Sequence, residues 1–188
     1  MARARSPDKR IAILRAAVQE IAETGLGAST AKIAGRAGVA TGTLFTYFAN
    51  KKELLNELYF ELKLEAYTKI NSNFPKKAGL ERRARHVWSG FLDWSIEFPE
   101  KRKVSAQLNV SDVIMPETRV RTAAARRNID ATLRELGSRS ALRGLPEGFA
   151  AAMMAALQEA TMDFITKQPK QRKELTRRAF QVFWRALR

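Results

Sequence analysis

The stretch "GVATGTLFTYFANKKELL", Gly38 to Leu55, holds the side chains best suited to touching another molecule. Thr41, Thr43 and Thr46 supply short hydroxyl donors, Tyr47 a phenol, and Lys51 and Lys52 two cations. Gly42 falls in the first turn of what reads as a short helix, where glycine costs about 1 kcal/mol against alanine. Packing alone does not ask for it, so this helix is expected to bring its backbone close to something. Ala34, Gly38 and Leu44 have the types and spacing of a helix-turn-helix. A small residue sits where two helices cross, a glycine allows the positive φ of the turn, and a leucine plugs the space between the helices. For these three residues alone, an ordinary tight helical corner is the alternative. In a helix-turn-helix the third helix lies in the DNA major groove with its first residues at the base edges. That geometry gives Thr41, Gly42, Thr43, Phe45, Thr46 and Tyr47 to bases and phosphates. Ser29 and Thr30 open the preceding helix, and Lys51 and Lys52 open the following one. Helix N-termini favour anions.

The elements around this stretch all read as helices, and strand signals are nearly absent. "SPDK" starts the first helix, with Ser6 placed to cap it and Pro7 at its first position. Ile11, Leu14, Val18 and Ile21 recur at helical spacing, and Gly25 ends the run. Asn50 with Glu53 makes a capping box for a long helix over about 51–71. The next helix, about 80–98, is apolar over a wide arc: Leu80, Ala84, Val87, Trp88, Phe91, Leu92, Trp94 and Phe98. Such a helix is central to a bundle. Further helices are predicted over about 99–111, 116–138 and up to 167, and then to the end of the chain. The total is about nine. The fold class is all-α: a helix-turn-helix domain over 1–50 and a helical bundle over 51–188.

Composition narrows the functions. The 188 residues carry a net charge of +15 and no cysteine. Disulfides, thiolate metal sites and a cysteine nucleophile are excluded, and a strongly basic chain favours polyanionic partners. The charge is spread: residues 1–50 are net +4 and residues 51–188 net +11. Charge therefore does not locate a DNA site; the motif does. The basic start has no apolar stretch behind it, and the longest apolar run, Phe149–Leu157, is far short of a bilayer span. The reading is a soluble cytoplasmic protein with no membrane partner. One histidine, no serine elbow and no phosphate loop leave no catalytic constellation, no metal site and no cofactor, so the chain is not expected to be an enzyme. His86, Asp93 and Glu97 share a polar helix face and read as solvated.

From Ile13 to Leu55, "ILRAAVQEIAETG…STAKIAGRAGVATGTLFTYFANKKELL" resembles the DNA-binding domain of the tetracycline-repressor (TetR) family of bacterial transcriptional regulators. The matching elements are the Ala16-Ala17 pair, Gly25, Ile33-Ala34, Ala37-Gly38-Val39, Gly42-Thr43-Leu44, Tyr47-Phe48, Lys52 and Leu55. The motif covers roughly a quarter of the chain; the rest matches in helix number and order. Two positions depart from the pattern. Ala40 stands where the family often has a capping serine, so either Thr41 caps the recognition helix or the cap is missing. Phe45 stands where the family usually has tyrosine, so it contacts a thymine methyl or packs between helices. Arg3 and Arg5 precede the first helix, as a minor-groove arm or as a plain tail.

The resemblance implies a homodimer that binds a small effector in its second domain and a palindromic operator in duplex DNA. The remaining question is repressor or activator; a basic architectural DNA protein is disfavoured by the apolar second domain. For the dimer, the last helix carries two stripes where a monomer needs one. Phe180, Phe183, Trp184 and Leu187, with Ala151, Ala155 and Met162 of the helix before, are assigned to the partner. For the effector, Trp88, Phe91, Trp94, Leu108, Met153, Leu157 and Phe164 are apolar candidates, with Gln107, Asn109, Asn128 and Gln158 as polar anchors; taken singly, each apolar one reads first as plain core. The acidic face being solvated, the effector is expected to be hydrophobic and neutral or anionic.

Overall fold

The computed structural model describes residues 6–187. Among them are ten α-helices and no strand. In order they are α1 (Pro7–Thr24), α2 (Thr30–Arg36), α3 (Thr41–Tyr47), α4 (Lys51–Asn71), α5 (Leu80–Glu97), α6 (Pro99–Asn109), α7 (Pro116–Arg121), α8 (Ala123–Gly137), α9 (Phe149–Lys167) and α10 (Arg172–Arg185). The expected single helix over 116–138 is two. It breaks at Thr122, whose hydroxyl turns back to donate to the Arg119 carbonyl at 2.8 Å. A side chain that bonds its own backbone in this way competes with helix continuation. Arg3 and Arg5 lie outside the described residues.

The chain forms two compact units. The first takes in everything up to Glu65 together with Phe98–Thr122. It does not stop at residue 50, because three short helices bury too little surface to close a core. Leu54, Leu55, Leu58 and Leu62 of α4, with Val104, Leu108 and Ile114, share one core with Ile13, Ala17, Ile21, Ile33 and Leu44. On α1 the inner stripe runs through Ile13, Leu14, Ala17, Val18 and Ile21; Ile11 faces solvent. The second unit comprises Ala66–Glu97 and the chain from Ala123 onward. Its centre is α5, which packs on α8, α9 and α10, as its wide apolar arc requires. Gly90 lets α5 run close to the end of α4: a β-carbon there would stand 3.1 Å from Ile70 Cγ1 and 3.3 Å from Ile70 Cα. The helix α4 is continuous from the first unit into the second.

Candidate nucleic-acid interface and the cores behind it

Ala34, Gly38 and Leu44 do what their spacing predicts. Ala34 and Leu44 are buried, and Gly38 has φ +69°. The turn thereby holds α2 against α3, and α3 presents its outer face. Thr41, Gly42, Phe45 and Thr46 are exposed, and Thr43 and Tyr47 are half-buried. Phe45 is 41 % exposed, so part of its ring faces outward. Gly42 is the telling residue: a β-carbon built on it would meet nothing within 4 Å. Among the described residues, nothing needs this position to be bare.

The polar groups around α3 divide into those already engaged and those still free to act. Thr46 donates to the Gly42 carbonyl at 3.1 Å, one turn back, which occupies its proton. The Tyr47 hydroxyl accepts the Ser6 N–H at 2.8 Å, so its own proton remains to be donated. Ser6 therefore anchors the start of α1 through its backbone, and its side chain makes no cap. The cap of α3 is missing: Ala40 holds the position without a side-chain bond, and Thr41 lies inside the helix. Ser29 caps α2, accepting the Ala31 N–H at 3.2 Å, and Thr30 follows it half-buried. The capping box of α4 is half formed, the Glu53 arm reaching one residue past the cap. Asn50 Oδ1 accepts the Glu53 N–H at 2.9 Å, and Glu53 Oε2 reaches back to the Ala49 N–H at 2.7 Å. Lys51 and Lys52 thus stand on a fixed first turn, Lys52 exposed and Lys51 half-buried.

Behind this surface are groups that sequence reading overlooked. Asn56 is 2 % exposed and makes four hydrogen bonds. Its Nδ2 donates to the Lys52 carbonyl (2.8 Å) and the Val113 carbonyl (2.9 Å); its Oδ1 accepts from the Met115 N–H (2.9 Å) and the Thr118 hydroxyl (2.8 Å). One amide so ties the segment entering α7 to the turn that carries Lys52. The available signal was an asparagine within the apolar face of α4. Glu57 binds Arg121 of α7, and Arg10 of α1 at 2.9 Å. The Arg121 hydrogen bond, opposed by partial burial and helped by Arg10, holds the Glu57 carboxyl below its ordinary value.

The effector candidates do not stay together. Gln107 and Leu108 belong to the first unit. Leu108 is fully buried in its core, and Gln107 Oε1 lies 3.8 Å from where a β-carbon on Gly25 would stand. In the second unit Trp88 is a core residue. It is fully buried, its Nε1 donates to the Thr176 carbonyl at 3.1 Å, and its ring stacks on Phe183 at 6.0 Å. Gln158 is buried and donates to the Trp88 carbonyl at 3.3 Å. Trp94 is buried; Phe91, Met153 and Leu157 are half-buried against the core. Asn128 donates to Asn71 Oδ1 at 3.0 Å. On α5, the Ser95 hydroxyl is buried without a hydrogen-bond partner among the described residues. Asp93 pairs with Arg172 at 2.6 Å and Glu97 with Lys69 at 2.5 Å, both exposed.

The dimer assignment changes face. Met162, Phe180, Phe183, Trp184 and Leu187 are all buried within the second unit of their own chain. They belong to the core around α5, so the single chain already buries most of their surface. Ala151 is half-buried and Ala155 exposed. The apolar side chains that do face outward on these helices are Phe149, Phe164 and Val182, the last two 54 % and 61 % exposed.

The family model for bacterial regulatory proteins of the tetR family matches residues 13–58, which is α1 through the start of α4. A TetR-family transcription regulator from Shewanella sp. PV-4, putative by its own description, superposes with a TM-score of 0.78 at 27% identity over 97% of this chain and 98% of its own. The chain belongs to the TetR family of transcriptional regulators. The "Fatty acid metabolism regulator protein" of Bacillus subtilis (strain 168) is 39% identical over 71 residues, 37% of each chain, so the match spans little more than a third of that relative. FadR from Bacillus subtilis, solved in complex with stearoyl-CoA, shares the fold, with a TM-score of 0.67 at 24% identity, covering 94% of this TetR-family chain and 97% of its own.

Proposed function

We propose that this TetR-family chain acts in the cytoplasm as a homodimeric, ligand-responsive repressor that leaves a palindromic operator when a hydrophobic small molecule binds. The observation that carries the DNA-reading part is Gly42: a bare backbone on the first turn of α3, with open space where a side chain would be. Exposed Thr41 and Phe45 flank it, and Tyr47 keeps a proton to donate. Lys52 and Lys51 follow on a capped turn as phosphate contacts. The outward Phe164 and Val182, with Ala155, are proposed as the partner-facing surface.

A ligand acts only through its preference between states. The continuous helix α4 offers a mechanical route from the second unit to the turn bearing Lys51 and Lys52. The effector is proposed to be neutral or anionic, because Asp93 and Glu97 are spent on exposed ion pairs. The FadR complex with stearoyl-CoA supports an acyl chain as the first candidate.

The test is a salt titration of binding to the DNA flanking the chain's own gene, followed by competition with a panel of fatty acids, acyl thioesters, aromatic acids and cationic dyes. If a dimer makes about 8–12 phosphate contacts, log K falls with log salt at a slope of roughly −7 to −11. A slope shallower than about −3 on the best site overturns the two-headed reading. Release by cationic dyes alone overturns the assigned polarity.

A further inference from the structure

The second unit has a groove of about 460 Å³ lined by Gly79, Leu80, Glu81, Arg82, Arg85, Arg139 and Trp184. It lies outside the candidate effector core, with which it shares no lining residue. Three arginines meet one carboxylate there, and that carboxylate is engaged: Glu81 pairs with Arg85 at 2.8 Å. Arg82 and Arg139 have no ion-pair partner among the described residues. The neighbouring Arg83 and His86, by contrast, are used structurally. Arg83 binds Glu135 (2.6 Å) and the Ala78 carbonyl (3.0 Å), and the His86 ring sits 2.7 Å from the Ile70 carbonyl.

Two of the groove arginines are also positioned. The Arg85 guanidinium lies 4.5 Å over the Phe180 ring, Phe180 stacks on Trp184 at 6.2 Å and 14°, and Arg139 lies 5.3 Å over Trp184. Cation, ring, ring and cation form one file. A guanidinium resting on an aromatic face is held in place, yet keeps N–H donors for a bidentate acceptor. Gly79 and Leu80, where α5 begins, line the same groove.

We infer that this groove binds a phosphate or pyrophosphate group, free or as the head of a larger molecule. Fixed guanidiniums match phosphate oxygens in pairs, and a net charge of two above neutrality at the site calls for a multiply charged anion.

Calorimetric titration of the full chain with inorganic pyrophosphate, at constant ionic strength, tests it. Wild-type protein should bind saturably. Replacing Arg82 and Arg139 together by alanine should weaken binding about tenfold or more, with the thermal midpoint kept. Arg127→Ala, which removes one positive charge from α8 outside the groove, should change nothing. Binding that survives the double substitution, or that Arg127→Ala weakens equally, overturns the site, as does the absence of saturation. ADP in place of pyrophosphate separates the two sources: equal affinity means that the phosphates alone are read, and affinity about tenfold tighter means that the attached group is held too. No DNA is present, so the outcome is independent of the repressor reading.

Discussion

Gly42 shows how a single residue can be judged by what it does not touch. It costs helix stability and returns no packing, since a β-carbon there meets nothing within 4 Å. Gly42→Ala should therefore stabilise the first unit, by up to about 1 kcal/mol. It should also weaken operator binding by about tenfold or more, because a methyl group now stands where the backbone meets DNA. Urea denaturation and fluorescence anisotropy on one preparation check both. A loss of stability, or unchanged affinity, contradicts the assignment. Phe45 belongs to the same argument. Its sequence left packing and base contact open, and its partial exposure leaves ring surface available to a base. Thr46 went the other way: its type suggested a donor, but a residue type does not reveal that the hydroxyl bonds its own helix.

At the scale of elements, the charged contacts joining α1, α4 and α7 give a pH signature. Glu57 takes hydrogen bonds from Arg121 and Arg10, and its carboxyl is held down in the folded state chiefly by Arg121. A depressed carboxyl stabilises the fold fully above the ordinary carboxylate range and loses that contribution as pH falls through the lowered folded value. Glu57→Gln should cost about 1 kcal/mol at pH 7, the low end for charge-assisted bonds because Arg121 is partly solvated. The gap to wild type should close toward pH 3. Denaturant midpoints across this range check it; a gap that widens on acidification reverses the sign. Elements were mostly legible in the sequence, because capping residues, prolines and apolar periodicity are local. The break between α7 and α8 was not. It depends on which way the Thr122 hydroxyl turns, and the residue type allows either choice.

At the scale of the molecule, the two stripes read on α10 do not divide cleanly: Leu175 and Ala179 pack against the same core as Phe180 and Phe183, and Val182 faces outward. Periodicity gives the angle between stripes, not the identity of the neighbour, and the larger side chains went to the chain's own core. The partner surface is therefore expected on Phe164 and Val182. Phe164→Lys with Val182→Lys should give monomers by sedimentation with the melting midpoint of the fold retained, since both side chains are exposed in the single chain. Trp184→Lys should instead unfold the second unit, because it buries an unpaired charge. If the exposed pair leaves a dimer intact at micromolar concentration, the interface lies elsewhere. Domain boundaries were equally hard to see. The first unit recruits residues 98–122 from far along the chain, and no local signal marks long-range company of that kind.

The buried amide of Asn56 has a consequence for how this chain can evolve. Two donors and two acceptors are all an asparagine has, and all four are in use. Aspartate would keep the acceptors, lose both donors and bring a charge into a site 2 % exposed. Leucine would strand four partners, and glutamine would carry the same groups one methylene too far. Every single replacement leaves buried polar groups unmatched at once. Among descendants of this sequence that keep the 113–118 segment in place, position 56 should be nearly frozen while the outer face of α4 drifts around it. Change there would come only together with a rebuilt approach to α7.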